Sequence, residues 1–395
     1  MTTETPSVAQ RLGGDQFLAR TFGRSYHVVR GNTASVAGLV SWDDLNAILT
    51  HHRLETPRFR LASDGEPVPA FRYSRPVVTR RSTTWQRLQT ATLHEQLADG
   101  ATLVLDAVDE LHPGVGRLAK HLENWLRTAV QVNLYGSWTG TEGFGTHWDD
   151  HDVIVVQLDG AKRWKLYGPT RTAPMSRDVA TPEEPPEQPV ADLVLTAGDV
   201  LYLPRGWWHA VAASEGRHSL HLTCGLQTTT GADLITWLSE ILRGHEVIRT
   251  DVPRFGTEGE QREFLDRIAK LVADELAGPD VITRFLLARD ATESARLAPS
   301  LPYVTGIPPQ PELLVQLVVA RPRLAILPDG APQLTAGGEE WTFTAEALPL
   351  LQLLLDGSSH SLGKLAAVAG LSVEQVAGAV NGLVSGQVAA VRTTL

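Results

Sequence analysis

The sequence predicts an α+β fold in which an antiparallel β-barrel or sandwich is followed by helices and then by a mixed C-terminal region. Short β-branched runs separated by turn residues dominate residues 22–226. After Gly231 the apolar residues recur about every 3.6 positions instead of every two, which indicates helices. A chain of 395 residues exceeds the usual size of one domain, so two or three domains are expected.

The clearest strand signals lie in the segment VIVVQLDGAKRWKLYG. Residues 153–158 form a β-branched run, Asp159-Gly160 is a turn signal, and residues 163–167 are expected to return as the second strand of a hairpin. Residues 192–204, DLVLTAGDVLYLP, predict two further strands around a turn at Gly198-Asp199. Repeated hairpins of this kind are typical of an antiparallel sandwich or barrel.

Helices are predicted in two places. An amphipathic helix is expected around residues 118–130, inside the strand-rich region. A helical region is expected between residues 231 and 302, where two groups of apolar residues each share one helical face. The groups are Leu234, Trp237, Leu238, Ile241 and Leu242, and then Phe264, Leu265, Ile268, Leu271, Val272 and Leu276. These faces fit either a dimer interface or packing within the chain.

A proline cluster at residues 302–311 precedes a last region with a helix, a strand-like WTFT at residues 341–344 and two more helices. The final helix is expected to begin at the capping-box pair Ser372 and Gln375. If QVAAVRTTL closes a short hairpin, this order fits a winged-helix module. Residues 309–395 hold 4 Lys and Arg against 7 Asp and Glu, and phosphate binding needs the opposite charge. A structural or protein-contacting module is therefore expected, with no direct DNA binding.

The composition narrows the class of protein. Hydrophobic content of 43% and charged content of 20% are typical of a globular protein. No apolar run reaches the roughly 18 residues of a membrane span, and MTTETPSVAQ lacks the features of a secretory signal, so a cytoplasmic location without membrane contact is expected. Cys224 is the single cysteine, which rules out a disulfide within the chain. The net charge of -10 disfavours a nucleic-acid-coating surface but leaves room for a local basic patch.

The segment GFGTHWDDHD, residues 143–152, concentrates possible metal ligands. Residues i and i+2 of a strand point to the same face, so His147 and Asp149 are expected to converge. A third ligand is offered by His209 in LPRGWWHAV, which follows several intervening strands. Two histidines and one carboxylate form the facial triad of non-haem Fe(II) oxygenases, which leaves coordination positions open. Catalytic zinc uses the same donors and stays an alternative.

Other histidines and acids near these motifs are weaker candidates. Asp150, His151 and Asp152 begin the following strand, and none of them alone indicates a ligand. His218 and His221 are three apart in a predicted strand and therefore face opposite sides. One of this pair can line the site, while a hydrogen-bonded core or surface histidine is the expectation for each.

Three segments together resemble a known family. They are NLYGSWTGTEGFGTHWDDHDVIVVQLDGAKRWKLYGP at residues 133–169, GDVLYLPRGWWHAV at 198–211 and HSLHLT at 218–223. Their motifs, order and spacing are similar to those of the Jumonji-C ribosomal oxygenases of the cupin type. The resemblance implies a double-stranded β-helix core, a helical dimerisation domain and a C-terminal winged-helix domain.

On this basis we expect a catalytic domain over residues 1–230, a helical dimerisation domain over 231–308 and a winged-helix-like domain over 309–395, in a homodimer. The family implies a dioxygenase that uses Fe(II), 2-oxoglutarate and O₂ to hydroxylate a protein side chain, a histidine or arginine of a ribosomal protein. Three alternatives stay open. They are the same chemistry on a ribosomally made peptide natural product, demethylation of an N-methyl group, and a non-catalytic cupin that holds a metal and binds or regulates a partner.

Carried over residue by residue, the resemblance implies that His147, Asp149 and His209 are the iron ligands. In the family a basic residue thirteen positions after the metal-binding aspartate pairs with the distal carboxylate of 2-oxoglutarate, and here that residue is Lys162. A carboxylate inside an apolar barrel needs a fixed cation. The turn signal beside Lys162 also fits a solvated hairpin lysine, so burial decides between the two interpretations.

Two more residues match family positions on the strand before the triad. Asn133 and Tyr135 are implied to hydrogen-bond the cosubstrate or to line its pocket, and packing within the strand is the alternative. The chain departs from its relatives after HSLHLT, where it has Cys224-Gly225-Leu226 in place of the Ser or Thr residues that often lie near the cosubstrate. Polar contacts to the cosubstrate are therefore not predicted at those positions.

Overall fold

The computed structural model describes residues 7–82, 84–178, 183–214, 216–227 and 229–393, without the side chain of Arg177. The first six and last two residues, which the predicted terminal domains include, lie outside the described residues. So does most of the sequence from which the missing secretory signal was inferred. The chain divides into two compact units, Met1–Thr228 and Thr229–Leu395.

The first unit combines a large β structure with short helices. Its strands are β1 (His27–Val29), β2 (Phe59–Ser63), β3 (Glu66–Val68), β4 (Ser74–Val78), β5 (Thr84–Leu88), β6 (Thr102–Leu105), β7 (Val130–Ser137), β8 (Asp152–Pro169), β9 (Ala191–Thr196), β10 (Val200–Leu203), β11 (Trp207–Ala213) and β12 (Ser219–Leu226). Its α-helices are α1 (Val8–Leu12), α2 (Gly14–Arg20), α3 (Trp42–His51), α4 (Thr90–Ala98) and α5 (Pro113–Leu126). Single 3-10 turns occur at Thr33–Val36, Ala70–Arg72, Val108–Glu110 and Ser176–Asp178.

The barrel of the first unit has two sides that share strand β8. On one side the strands are ordered β1-β10-β8-β12-β7-β6-β2-β3. The second half of β8 pairs instead with β9 and β11, and all of these pairings are antiparallel. One long strand therefore joins the two sides, as a double-stranded β-helix requires.

The hairpin predicted at Asp159-Gly160 is wrong, because β8 runs without a break from Asp152 to Pro169. Residues 153–156 pair with β10 and residues 161–166 pair with β9, so neither half of the strand pairs with the other. Gly160 makes a bend with φ 68°, and a Cβ at this position would lie 1.7 Å from the carbonyl oxygen of His218. The turn residues thus bend a strand between the two sides of the barrel instead of reversing it.

Gly160→Ala is expected to lower the free energy of unfolding by more than about 2 kcal/mol, because the alanine would combine a positive φ with a backbone collision. Gly23→Ala is the matched control. Gly23 has the same φ of 68° and no atom within 4 Å of the added Cβ. Thermal and chemical unfolding measure both variants. An equal loss of unfolding free energy in both variants would show that the close approach to His218 does not contribute to the destabilisation.

Two other predicted elements differ from the structure in their ends or partners. The helix expected around 118–130 spans Pro113–Leu126, because Arg127 adopts a left-handed conformation with φ 52° and Val130 already begins β7. The segment 192–204 does form two strands around a turn at Gly198. These strands, β9 and β10, pair with different halves of β8 and so do not form a hairpin with each other.

The second unit begins with four helices, α6 (Gly231–Leu242), α7 (Glu246–Arg249), α8 (Glu258–Leu276) and α9 (Val281–Thr292). A capping box of Thr230 and Asp233 begins α6, which buries Leu238 and Leu242 on its predicted apolar face. None of the residues of α8 is buried, and Leu265 on its apolar face is 52% exposed.

The rest of the second unit contains two three-stranded sheets and three helices. The strands are β13 (Leu314–Leu317), β14 (Arg323–Ile326), β15 (Pro332–Ala336), β16 (Glu339–Thr342), β17 (His360–Ser361) and β18 (Ala389–Arg392), in the orders β17-β13-β18 and β14-β15-β16. The helices are α10 (Leu348–Leu354), α11 (Leu362–Ala369) and α12 (Val373–Ser385), with 3-10 turns at Leu301–Tyr303 and Ala345–Ala347. The predicted capping box of Ser372 and Gln375 begins α12, and the C-terminal strand pairs with β13.

In the part of the chain that the structure describes, no single helix has both the length and the apolar composition to cross a bilayer. The pair α11 and α12 meets these criteria only when taken together, and it is bent by 111°. Both helices contribute buried leucines and valines to the core of the second unit, including Leu365 and Val380.

Candidate active site

Three side chains from distant parts of the first unit converge as the sequence predicts. One ligand atom from each of His147, Asp149 and His209 lies within 4.8 Å of the other two. Asp149 Oδ2 is 3.8 Å from His209 Nε2, and the imidazole ring centroids of His147 and His209 are 4.4 Å apart. His209 is 4% exposed, and the other two are half-buried. Two imidazoles and a carboxylate at these separations can hold one metal ion.

In both imidazoles, a hydrogen bond from one ring nitrogen determines which nitrogen is free to bind a metal. His147 Nδ1 donates to the carbonyl oxygen of Gly145 at 3.0 Å, and His209 Nδ1 donates to that of Trp207 at 2.9 Å. A carbonyl can only accept, so the neutral ring carries its proton on Nδ1 and leaves Nε2 with a free lone pair. Burial, followed by the charge of His147, lowers the pKa of His209 to about 4, which keeps the ring neutral at physiological pH. Neutral imidazole is the form that binds metal.

Backbone hydrogen bonds hold the two motifs side by side. His147 and His209 form an antiparallel β-bridge, in which each amide donates to the other residue's carbonyl at 3.1 and 2.8 Å. The amide of Gly206 donates to the carbonyl of Asp149 at 2.8 Å. Main-chain contacts therefore fix two segments that are distant in the sequence, which makes the ligand set rigid before any metal binds.

A buried carboxylate strengthens this connection. Asp152, which is 5% exposed, accepts hydrogen bonds from the Tyr202 hydroxyl at 2.5 Å and from the Arg205 amide at 3.0 Å. Arg205 starts the turn that leads into His209, whereas Asp152 follows the segment that carries Asp149. Asp152 is therefore a positioning residue that ties the two ligand-bearing segments together.

Asp152→Ala is expected to cost about 2–4 kcal/mol of stability, because it removes the acceptor of the buried Tyr202 hydroxyl and of the half-buried Arg205 amide. It should also weaken metal binding by about 10-fold to 100-fold, as loss of a supporting hydrogen bond does at other metal sites. Chemical unfolding and titration with Co(II) measure the two effects. Asp192→Ala, on the surface strand β9, is the control, and equal behaviour of both variants would contradict the positioning role.

Lys162 is buried, not solvated. It is 3% exposed, and its Nζ donates to Ser137 Oγ at 2.6 Å. Ser137 Oγ in turn lies 3.0 Å from Thr102 Oγ1. No carboxylate of the described residues forms an ion pair with Lys162, and burial lowers the pKa of its ammonium group to about 7. A buried cation without an acidic partner fits an anionic ligand that supplies one.

Asn133, Tyr135 and Ser137 are spaced two residues apart on β7, so their side chains share the face of the strand that points into the barrel. Asn133 and Tyr135 line the cavity beside the triad. Asn133 Oδ1 accepts from the amide of Ala107 at 3.0 Å. The Tyr135 ring stacks on His221 with centroids 5.0 Å apart. Burial first, and then the charge of Asp149, raise the pKa of Tyr135 to about 12, so its hydroxyl stays protonated and can donate.

These residues surround one cavity of about 320 Å³. Its lining also includes Phe144, Val153, Trp164, Val211 and Thr223, which give it a mixed apolar and polar wall. Gly225 lines the cavity, whereas Cys224 points into the hydrophobic core, where burial raises the pKa of its thiol. Residues 224–226 therefore contribute no polar side chain to the cavity wall.

The other candidate histidines, His151, His218 and His221, differ in exposure and in their contacts. His221 is 4% exposed and lines the cavity, while His218 is exposed and its Nε2 lies 2.7 Å from Asp159 Oδ2. His151 also lines the cavity, with Nδ1 2.9 Å from Asp150 Oδ1. The opposite orientations predicted for the 218 and 221 pair are therefore found, and neither residue is in the metal cluster.

Three residues at the site were missed from the sequence: Ser137, which accepts the hydrogen bond from Lys162, and the cavity-lining residues Thr102 and Arg60. Ser137 continues the alternation of Asn133 and Tyr135 and could have been found by extending that pattern by two positions. Thr102 and Arg60 lie on β6 and β2, well before the metal motif in the chain, and no local pattern marks them. Arg60 enters the cavity wall while paired with Asp106.

Comparison with known proteins places this site in a class. A family model of the JmjC domain matches residues 110–234, which include the triad and Lys162. Residues 110–234 are therefore similar to a JmjC domain, and the barrel has the cupin-type fold that the sequence predicted.

The particular relatives are ribosomal oxygenases and related hydroxylases. The bifunctional lysine-specific demethylase and histidyl-hydroxylase NO66 of Aedes aegypti is 33% identical over 150 residues, 36% of this chain and 24% of the relative. Ribosomal oxygenase 2 of Rattus norvegicus is 33% identical over 175 residues, 41% of this chain and 37% of the relative. The matches thus span well under two thirds of these relatives. They confirm the resemblance to ribosomal oxygenases.

Solved structures show the same fold over nearly the whole chain. The Escherichia coli ribosomal oxygenase YcfD is 17% identical, with a TM-score of 0.59, over 96% of this chain and 98% of that one. A second structure of YcfD, in complex with cobalt and 2-oxoglutarate, has a TM-score of 0.58 at 16% identity. At this identity the likeness establishes the fold alone.

Proposed function

We propose that this chain is an Fe(II)- and 2-oxoglutarate-dependent oxygenase that hydroxylates a histidine side chain of a ribosomal protein. The observation that carries the proposal is the pairing of two features in one cavity. An open-sided cluster of His147, Asp149 and His209 faces the same space as the buried ammonium of Lys162. A dicarboxylic 2-oxo acid that chelates a metal at one end needs a cation for its other end.

Each residue has a defined task in this proposal. His147, Asp149 and His209 hold the iron, and Lys162 with Ser137 receives the distal carboxylate of 2-oxoglutarate. When bound, iron and 2-oxoglutarate supply the oxidation of a C–H bond by O₂, with succinate and CO₂ as coproducts. Trp164 and Val211 form an apolar wall that excludes water from the reaction.

The charges of the cavity favour histidine over arginine as the substrate side chain. Among the described lining residues, Arg60 and Lys162 are cationic, and Asp149 is the one carboxylate, which the metal requires. A guanidinium entering this space would find no free acid to pair with, because the metal takes Asp149 and Arg60 takes the nearby Asp106. A neutral imidazole carries no such cost. The name histidyl-hydroxylase of the NO66 relative agrees with this choice.

Asn133 and Tyr135 are proposed to orient bound molecules by hydrogen bonds. Tyr135 keeps its proton and so offers a hydrogen-bond donor, and the Asn133 side chain lies within hydrogen-bond reach of its hydroxyl. Both line the cavity that contains the triad, which is compatible with contact to the cosubstrate or to the substrate side chain. Their separate roles follow from comparing 2-oxoglutarate binding with peptide binding in Asn133→Ala and Tyr135→Phe.

The test uses the purified chain with Fe(II), 2-oxoglutarate, air and ribosomal proteins from the cells that make it. Succinate is measured together with the intact masses of the proteins. A gain of 16 mass units on a histidine-containing peptide, absent with Asp149→Ala, is the expected result. Anaerobic addition of 2-oxoglutarate to the Fe(II) protein should also produce a weak visible charge-transfer band.

Other outcomes separate the alternatives. Turnover of 2-oxoglutarate without modification of any ribosomal protein would leave a peptide natural product as the substrate class. A loss of 14 mass units from a methylated protein would indicate demethylation. If neither turnover nor the charge-transfer band were observed with saturating iron, a metal-holding cupin that only binds a partner would replace the enzyme.

For the second unit we propose that residues 231–308 form a homodimer interface and that residues 309–395 form a winged-helix-like module that contacts protein rather than DNA. The apolar face of α8 supports the proposed homodimer interface, because Leu265 and Leu276 are exposed within the unit. Light scattering in solution measures the mass, and a monomer at micromolar concentration would refute the dimer. With a ribosomal protein as substrate, the site of action is the cytoplasm.

A further inference from the structure

An acidic chain carries one strongly basic segment. Residues 51–90 contain eight arginines, no lysine and three acidic residues, in a protein whose net charge is -10. Within residues 71–90 there are five arginines and no acidic residue. A local excess of positive charge therefore lies in this short stretch of the first unit, against the acidic composition of the whole chain.

The structure folds this stretch into a separate two-stranded ribbon. Strands β4 and β5 pair only with each other among the described strands. Six exposed side chains lie on or beside them, and we call this set the arginine ribbon: Arg53, Arg72, Arg75, Arg80, Arg81 and Arg87. Arg60, which lines the catalytic cavity, is not part of it.

The pairing within the ribbon places like charges together. Arg75 lies directly opposite Arg87, and Val77 lies opposite Trp85 on the same face. The guanidinium of Arg53 stacks on the Trp85 ring at 4.6 Å from its centroid. Like charges opposite each other cost stability in a β-ribbon. Folding alone therefore gives no reason for this arrangement.

No carboxylate of the described residues forms an ion pair with any member of the arginine ribbon. The nearest acidic side chain in sequence, Glu55, accepts instead from the amide of Gln86 at 3.2 Å. By contrast, Arg58, Arg163 and Arg171 each have an acidic partner. Six guanidinium groups are thus left with their hydrogen-bond donors available to an external anion.

We propose that the arginine ribbon is a docking surface for the phosphate backbone of single-stranded RNA. Guanidinium forks bind phosphate through two parallel hydrogen bonds, which suits a segment that contains arginine and no lysine. An aromatic ring among the cations is the combination that single-strand binders use, because bases stack on it.

This surface does not depend on the proposed oxygenase activity, since the described lining of the cavity includes no member of the arginine ribbon. If the substrate is a ribosomal protein, RNA is its natural neighbour, and the ribbon would bring enzyme and substrate together. An acidic protein segment is the competing partner for the same charges, and the test distinguishes the two.

The experiment measures fluorescence anisotropy of a fluorescein-labelled 20-nucleotide polyuridylate with the full chain, without iron or 2-oxoglutarate. The variant is the double substitution Arg75→Gln and Arg87→Gln. The matched control is Arg249→Gln with Arg323→Gln, which removes two exposed arginines from the second unit. Circular dichroism and 2-oxoglutarate turnover show whether each variant is folded and keeps its catalytic site.

We expect the wild-type protein to bind the RNA in 50 mM salt and to lose affinity steeply as salt rises. The ribbon variant should bind at least about 10-fold more weakly, and its slope of log affinity against log salt should fall by about 1.4, which is two phosphate contacts. The control should match the wild type. Absence of RNA binding, equal weakening by both double variants, or displacement of the RNA by poly-L-glutamate as effectively as by unlabelled RNA would overturn the proposal.

Discussion

Asp149→Ala is expected to reduce 2-oxoglutarate turnover by about a thousandfold or more. The change removes the one anionic ligand of the proposed iron site and leaves two neutral imidazoles, which cannot hold Fe(II) in the required geometry. If the metal no longer stabilises the transition state by several kcal/mol, the rate falls by a factor of this size. Succinate release measures turnover, and titration with Co(II) measures metal binding directly.

Asp149→Ala should change only metal binding and the properties that depend on bound metal. Added Fe(II) or Co(II) should raise the melting temperature of the wild-type protein and leave that of Asp149→Ala unchanged. Asp192→Ala, which removes an exposed carboxylate from β9, should behave like the wild type in both measurements. Retention of turnover in Asp149→Ala would remove the basis for the proposed iron centre.

Lys162→Met is expected to have opposite effects on cosubstrate binding and on stability. A buried charge-assisted hydrogen bond is worth about 1.5–3 kcal/mol, so the KM for 2-oxoglutarate should rise by about 10-fold to 100-fold. The protein without ligand should become more stable, because a buried cation without an acidic partner is replaced by an apolar side chain. Lys165→Met, on the same strand and half-buried, is the control. Loss of both affinity and stability in Lys162→Met would indicate a structural lysine instead.

The pH dependence follows from the lowered pKa of Lys162. Burial brings this pKa from 10.5 to about 7 in the ligand-free folded state. Between these values the unfolded chain binds more protons than the folded one, so this group makes stability rise with pH from about 7 to about 10.5. A bound carboxylate raises the pKa again, so 2-oxoglutarate affinity should be full below pH 7 and weaken above it. In Lys162→Met both trends should be absent, and a pH-independent wild type would contradict the assignment.

Much of the site could be predicted from local patterns. The period-two rule predicted that His147 and Asp149 converge, which is confirmed although the two residues lie outside the strands, with only an isolated bridge at His147. A proline-glycine turn before a third imidazole suggested His209 as their partner. The change of period after Gly231 located the helices of the second unit, because apolar residues at 3.6-residue spacing form one face of a helix. The capping box of Ser372 and Gln375 predicted the start of α12, because a cap also depends only on residues close together in the sequence.

Other features depended on contacts that no local pattern records. Asp159-Gly160 has the sequence of a hairpin turn, yet it bends a continuous strand, because β9, β10, β11 and β12 supply partners along its whole length. The same turn signal favoured a solvated lysine at position 162, whereas the closed barrel buries it. Thr102 and Arg60 entered the cavity from strands far away in the sequence.

The sequence by itself determined the chemistry of this protein: which donors are present, which of them share a face, and in what order the barrel and the helices follow one another. These properties depend on side-chain type and on the repeat of the backbone, and both are local. Only the tertiary structure decided the burial of Lys162, the bend at Gly160 and the nitrogen that each imidazole leaves free. Burial and hydrogen-bond partners arise from pairing between strands that are distant in the chain, so they exist only once the barrel has closed.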